Sequence, residues 1–413
     1  MSTLGRLGKN TLKMSFGLYL RTGLQVAVFI LVARTLGPSG YGAFAAVMAL
    51  TAVFSPFAGC GHDAILVRDV ARDRKRFRES WGRSLFMVAV SGLPLVVVVV
   101  ILGWLILPSS ISLWVVIAVA LSDLIFARVL EMAARAFQAF EWMGRAVALR
   151  ALFSALRLAG AVIMIWVYSA PDVESWSIFY VMASAIACVG SVLYVNSSIA
   201  KPVLSTEGIR ENIAEGIFFS ISGSAEKINT DIDKAMLARL ASLDIAGIYS
   251  AAYRIVDVVF TPIGALLASA YAKFFQHGSE GIASSLAYAL RILPIPALYA
   301  VVGGVALYVM APMVVVILGE SFSEAVYVVQ WLSVLPLLMV GRHFPSMILG
   351  GAGFQRVRSL CQIGAALINV FLNLWLIPLY GWYGAVWATL TTEVLLGVML
   401  WTLTWRMLSI RGG

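Results

Sequence analysis

The stretch "SAEKINTDIDKAM", residues 224–236, carries five charges within nine positions: Glu226, Lys227, Asp231, Asp233 and Lys234. Carboxylates there can take up a proton or a cation, and lysines can hold an anion, so the segment has the makings of an ion or anion site. Apolar runs flank it on both sides. At 100° per residue, Glu226, Lys227, Thr230, Asp231, Asp233 and Lys234 fall within an arc of about 160°. Ile217, Ile221, Ala225, Ile228, Ile232, Ala235 and Met236 lie opposite. This pattern predicts a helix with one wet face and one apolar face. Lys227 and Asp231 are spaced to pair along the helix, as are Asp231 and Lys234. A self-neutralising structural cluster is therefore the alternative reading.

Further charges recur in apolar surroundings. Arg21 and Gln25 share one helical face, and Arg254 precedes Asp257 by three residues. Arg150 and Arg157 lie seven apart with no acidic residue between them, and Arg291 stands alone. Guanidinium groups grip phosphate oxygens through a two-pronged fork, so a diphosphate or acidic sugar is a fitting guest. The substrate-binding candidates are Arg21, Gln25, Arg150, Arg157, Lys227, Lys234, Arg254 and Arg291. The ion-coupling candidates are Glu226, Asp231, Asp257 and Glu393. Arg128, Glu131 and Arg135, at i, i+3 and i+7, read as a self-pairing structural ladder.

Other chemistries find little support. No Gly-Lys-Ser/Thr phosphate loop occurs, and His62, His277 and His343 lack metal-ligand spacing, so neither metal nor cofactor is expected. Cys60, Cys188 and Cys361 are widely spaced and read as small buried hydrophobes. An enzyme is not expected either. The acidic outer connections, "APDVES" and "GESFSEA", are too short to carry a catalytic centre.

The elements that position these residues are membrane helices. Hydrophobic residues make up 61% of the chain and charged ones 12%, with mean hydropathy +0.91. That much apolar surface marks an integral membrane protein. With about 20 residues per span, apolar windows predict twelve helices near 13–34, 41–60, 84–107, 111–134, 146–168, 174–197, 214–238, 245–272, 284–310, 326–350, 357–378 and 383–406. Basic residues mark one side. Arg6, Lys9 and Lys13 precede the first helix, and "RDVARDRKRFRESWGR" joins the second to the third. Later loops on that side carry Arg135, Arg145, Lys201, Arg210, Lys273, Arg356 and Arg358, with Arg406 and Arg411 at the end. The positive-inside bias puts both termini in the cytoplasm. Val67, Val70, Phe77 and Trp81 suggest a short interfacial helix within the basic loop, which anchors topology on anionic lipid or gathers an anionic substrate. Pro262, Pro294, Pro296, Pro312, Pro336 and Pro345 in the second half are candidate hinges. Trp331, Trp375, Trp382, Tyr383 and Trp387 read mainly as an interfacial belt.

"ARTLGPSGYGAF" at 33–44 echoes "ARLASLDIAGIY" at 238–249, matching Arg34 with Arg239 and Gly42 with Gly247. The echo predicts a parallel repeat of two six-helix halves, residues 1–200 and 201–413. At these residues a family resemblance emerges. "LVARTLGPSGYGAF", "INTDIDKAMLARLASLDIAGIYSAAYRI" and "IPLYGWYGAVWATLTTEVL" together resemble polysaccharide transporters (Wzx-like oligosaccharide flippases) of the MATE-like MOP superfamily. The resemblance implies an all-α fold of two lobes around a central cavity. It also implies export of a polyprenyl-diphosphate-linked oligosaccharide for surface polysaccharide, such as O-antigen, in the bacterial cytoplasmic membrane. Expected partners are that lipid-linked substrate, membrane lipids and polysaccharide assembly proteins. A drug or cation antiporter of the same superfamily is the alternative.

Overall fold

The computed structural model describes residues 3–204 and 209–411, with side chains for 17–204, 217 and 220–409. Arg6, Lys9, Lys13, Arg210 and Arg411, part of the predicted inner-side charge, lie outside the described side chains. Helices account for nearly all of it, and no strand occurs among the described residues. They group into two compact units, Met1–Ser224 and Ala225–Gly413.

The first unit begins with α1 (Thr3–Phe54), whose helical geometry breaks at Gly37, with φ 66° and ψ 179°. A side chain there would be strained, and Pro38 withholds the next N–H, so "LGPSG" separates two helical arms. The amphipathic α2 (His62–Arg72) follows, then α3 (Phe77–Ile106), α4 (Leu113–Leu121), α5 (Ala127–Ala139), α6 (Met143–Val167) and α7 (Val173–Ser198). Five residues, Ser122–Phe126, form a π-turn between α4 and α5. Leu66, Val70, Phe77, Trp81, Met132 and Phe137 share a buried core. The residues expected on one interfacial helix are divided, Val67 and Val70 on α2 and Phe77 and Trp81 at the start of α3, and Val70, Phe77 and Trp81 are buried against protein. The basic residues Arg68, Arg72, Arg74, Lys75, Arg76 and Arg78 remain exposed.

α8 (Ile209–Leu240) carries the charged stretch and is followed by α9 (Leu243–Ser279), α10 (Ile282–Ile292) and α11 (Pro294–Met310). The latter two form one bent pair at 44°. Then come α12 (Met313–Leu318), α13 (Ala325–Leu332), α14 (Leu335–Gly351), α15 (Gln355–Tyr380) and α16 (Trp382–Arg411). Phe274, Phe344, Ile348, Leu349 and Leu400 sit in the core of the second unit. α9 and α14 cross with their backbones touching. A Cβ on Gly278 would strike the Gly351 backbone, and one on Gly351 would strike the Phe274 carbonyl. Such close approach is how small residues let membrane helices pack. Within α14, Pro345 cannot donate to the Gly341 carbonyl, and the Trp401 indole of α16 donates to it instead at 2.9 Å.

Side chains facing outward on these helices are apolar, Trp104, Trp166, Leu298 and Val309 among them. Among the described residues nine helices are long and apolar enough to cross a bilayer, or ten if the bent pair is one span. Two features account for the difference from the expected twelve. The two arms of α1 on either side of Gly37 count together as one stretch, and α8 carries more charge than an apolar span allows.

Replacing Gly351 with Ala is expected to cost about 1–3 kcal/mol through overpacking at the α9–α14 crossing. A lowered melting temperature in detergent would show it. Outside the spans, the Asp172 carboxylate caps α7 by accepting from the Ser175 N–H at 2.9 Å, which holds its pKa below the ordinary value. Asp172→Ala should cost about 0.5–1 kcal/mol. Because the folded pKa is lowered, the cap's contribution is complete above about pH 4 and fades as pH falls through the folded value. Melting temperatures of wild type and variant should therefore differ at pH 6 and converge towards pH 3.

Candidate functional site

An isolated charge facing hydrocarbon costs roughly 2.5–3.5 kcal/mol at the helix centre, so each intramembrane charge needs a partner or water. In the first unit the partners come from neighbouring helices. Glu131 of α5 meets Arg150 of α6 through both prongs, Nε to Oε2 at 2.9 Å and Nη2 to Oε1 at 2.5 Å. Arg135 lies 3.4 Å from Glu131 and 3.8 Å from Asp63, and Arg21 stands within electrostatic reach of Glu131. Arg128 leaves the expected ladder and donates Nε to the Ala58 carbonyl at 3.2 Å. Nearer the other end of α6, Arg157 Nη2 donates to Asp123 Oδ1 at 2.9 Å and to Ser184 Oγ at 3.3 Å. The Tyr180 hydroxyl donates to the same Asp123 oxygen at 2.8 Å. Arg150 and Arg157 are therefore neutralised, against expectation, because their carboxylates come from a different helix. Gln25 is half-buried and makes no side-chain hydrogen bond among the described residues.

The wet face predicted for α8 divides along its length. Asp233 and Lys234 are buried, Lys227 is exposed, and Ile217 and Ile221 are exposed too. Lys234 Nζ reaches the Thr230 carbonyl at 2.5 Å and Asp231 Oδ1 at 3.1 Å, and lies 4.0 Å from the Tyr253 ring centre. Lys227 lies 3.5 Å from Asp231 on its other side. The pairing along the helix is thus as expected. Asp233 Oδ1 lies 3.5 Å from Lys234 Nζ, while its Oδ2 accepts the Tyr249 hydroxyl at 2.6 Å and the Thr389 hydroxyl at 3.4 Å. Asn229 donates to the Gln362 carbonyl at 3.4 Å.

Glu393 of α16 pairs with Arg342 of α14 at 2.6 Å, and each side chain is only 5% exposed. Arg254, Asp257 and Glu226 make no ion pair within 4 Å among the described residues, and Asp257 and Glu226 are part-buried. Arg291 is exposed at the end of α10, not in an interior position as its apolar context suggested. No cluster of metal-ligating side chains occurs among the described residues. Trp331, Tyr380, Trp382, Tyr383 and Trp387 pack ring against ring around the α15–α16 turn.

Sequence reasoning overlooked Asp123, Arg342, Tyr180 and Tyr249. One signal was available for the first. Asp123 and Glu131 lie eight apart, Arg150 and Arg157 seven apart, and antiparallel neighbours bring them into register as two rungs.

Residues 7–271 match the family described as "Polysaccharide biosynthesis protein". No curated protein matches the chain in sequence. Several solved structures share the fold. A multidrug resistance MATE family transporter of the MOP superfamily in an inward-facing conformation aligns with TM-score 0.76 at 15% identity, covering 94% of this chain and 96% of its own. An outward-facing structure of such a transporter gives TM-score 0.68 at 14% identity, covering 97% and 96%. The MATE multidrug transporter DinF-BH in complex with R6G gives 0.68 at 14%, covering 98% and 96%.

The Arg342–Glu393 pair should behave as a buried couple. Arg342→Ala alone is expected to cost about 3–5 kcal/mol by stranding Glu393, whereas Arg342→Met with Glu393→Leu should be near neutral. Chemical denaturation of the single and double variants in micelles would measure the difference.

Proposed function

The chain belongs to the polysaccharide biosynthesis protein family of the MOP superfamily, and on that premise we propose that it moves a polyprenyl-diphosphate-linked oligosaccharide across the bacterial cytoplasmic membrane. It is a multi-pass membrane protein whose family and fold are those of transporters, not enzymes. One observation carries the finer reading. A match to a polysaccharide-biosynthesis family extends over the first unit and through the charged helix α8, on a fold shared with transporters of the same superfamily.

The proposed cycle is alternating access driven by an ion gradient. Two halves, 1–200 and 201–413, serve as repeats of one lobe, and both termini lie in the cytoplasm. The basic connection around α2 then faces the anionic inner leaflet, where exposed Arg68, Arg72, Arg74, Lys75, Arg76 and Arg78 attract lipid phosphate. Coupling falls to the carboxylates that no arginine or lysine already holds. Asp231 and Glu393 are occupied by Lys234 and Arg342, which leaves Asp257 and Glu226 as the ion-binding positions. Asp257 lies one helical turn from Arg254, so protonating or metallating it alters the charge an anionic cargo meets.

Proteoliposomes provide the test. The purified protein should move a fluorescent undecaprenyl-diphosphate saccharide from one leaflet to the other under an ion gradient. Asp257→Asn should slow that movement at least about tenfold with unchanged abundance in the membrane. Gradient-driven export of rhodamine 6G without saccharide movement would instead establish the drug-antiporter alternative.

A further inference from the structure

Two arginines of α6 meet carboxylates, but in unlike ways. Arg150 engages Glu131 with Nε and Nη2 together, which is the saturated geometry of a structural pair. Arg157 commits only Nη2, divided between Asp123 Oδ1 and Ser184 Oγ, and its Nε is buried without a partner. The guanidinium is nonetheless held firmly. The Phe153 ring centre lies 4.2 Å from its central carbon and the Tyr180 ring centre 3.9 Å. Two aromatic faces fix its plane and leave its donor edge with unspent hydrogen bonds.

Asp123 is equally unusual. It sits within the π-turn at Ser122–Phe126, a local widening that re-aims side chains and recurs at functional positions. Its Oδ1 also accepts from the Tyr180 hydroxyl, so the carboxylate keeps a donor if the arginine turns elsewhere. Side-chain exposure of 18% for Arg157 and 22% for Asp123 leaves part of the pair uncovered.

We propose that Asp123 is a resident counter-ion, displaced from Arg157 when a phosphate group of the cargo occupies the guanidinium fork. The idea rests on the reading above that the cargo carries a diphosphate. A phosphate offers oxygens to Nη2 and to the unpartnered Nε together, which one carboxylate oxygen does not. Ser184 adds a hydroxyl to the same edge. Tyr180 plays two parts: its ring supports the cation, and its hydroxyl keeps Asp123 satisfied during the exchange. The nearby carboxylate also repels the bound anion, which keeps residence short enough for release on the far side. Asp123 and Tyr180 are therefore positioning residues acting through Arg157.

The test uses the full chain in nanodiscs, with farnesyl diphosphate as the ligand and farnesol as the uncharged control. Asp123→Asn should tighten farnesyl diphosphate binding about tenfold, leave farnesol unchanged, and slow saccharide translocation because release becomes limiting. Arg157→Gln should abolish the preference for the diphosphate. Tyr180→Phe keeps the ring and removes the hydroxyl, so it should weaken binding, the opposite sign to Asp123→Asn. That second variant decides the matter if Asp123→Asn does not fold. Equal weakening by Asp123→Asn and Arg157→Gln would overturn the counter-ion role and leave a structural pair. Saccharide translocation by wild type that never binds farnesyl diphosphate would overturn the anion site while the transport reading stands. Rhodamine 6G export with no saccharide movement would remove both.

Discussion

Neutralising charge inside a hydrocarbon-facing bundle is the constraint from which the arrangement of this protein follows. A bilayer gives an ionised side chain no water to fall back on, so Arg150 and Arg157 on α6 dictate which helix must lie beside them. Glu131 and Asp123 meet that demand from α5 and the π-turn before it. The second unit solves the same problem with Lys234 folded over its own helix and with Arg342 joined to Glu393 across α14 and α16. Packing then follows from these pairings. Apolar side chains face outward, and small residues such as Gly278 and Gly351 allow the remaining backbones to close up.

Not all the pairs have the same character, and the difference bears on transport. A two-pronged arginine–carboxylate bond such as Arg150–Glu131 holds two helices at fixed register and leaves nothing to offer a cargo. A group bound through one atom, or not bound at all, keeps its capacity to respond. Arg157 with Asp123 belongs to the first of these classes of responsive group, and Asp257 and Glu226 to the second. Charge that looked uniform along the chain therefore separates into fully paired and incompletely paired groups once geometry is known.

Much of the fold was legible in the amino-acid sequence. Long apolar windows located most of the helices, because a span must match the hydrocarbon thickness, but α3 starts and α9 ends seven residues beyond its window, where the helix runs past the apolar stretch. Pairing along α8 was equally legible, since Asp231 and Lys234 are neighbours on any helix. Partners on separate helices were harder. Arg150 and Arg157 looked unneutralised because spacing within one helix is blind to the next. Their register with Glu131 and Asp123 appears only when the fourth and fifth spans are laid antiparallel. Arg342 gave no signal of its own, and only the solitary Glu393 required that such a cation exist. The face of α8 that carries Asp233 was misjudged as wet for a related reason. Tyr249 and Thr389 supply hydroxyls that let a carboxylate be buried, and neither announces that role in a list of charged residues.

The indole bond from Trp401 to the Gly341 carbonyl changes what Pro345 means mechanically. Proline inside a helix is commonly taken as a joint that flexes. Here the acceptor it liberates is clasped by an adjacent helix, so straightening or swivelling α14 at that point would leave a peptide oxygen facing hydrocarbon alone. The proline site is a bracket rather than a joint: the carbonyl it frees ties α14 to α16 at that point. Arg342 and Glu393 join the same two helices, so an indole bond and a buried ion pair both hold α14 against α16.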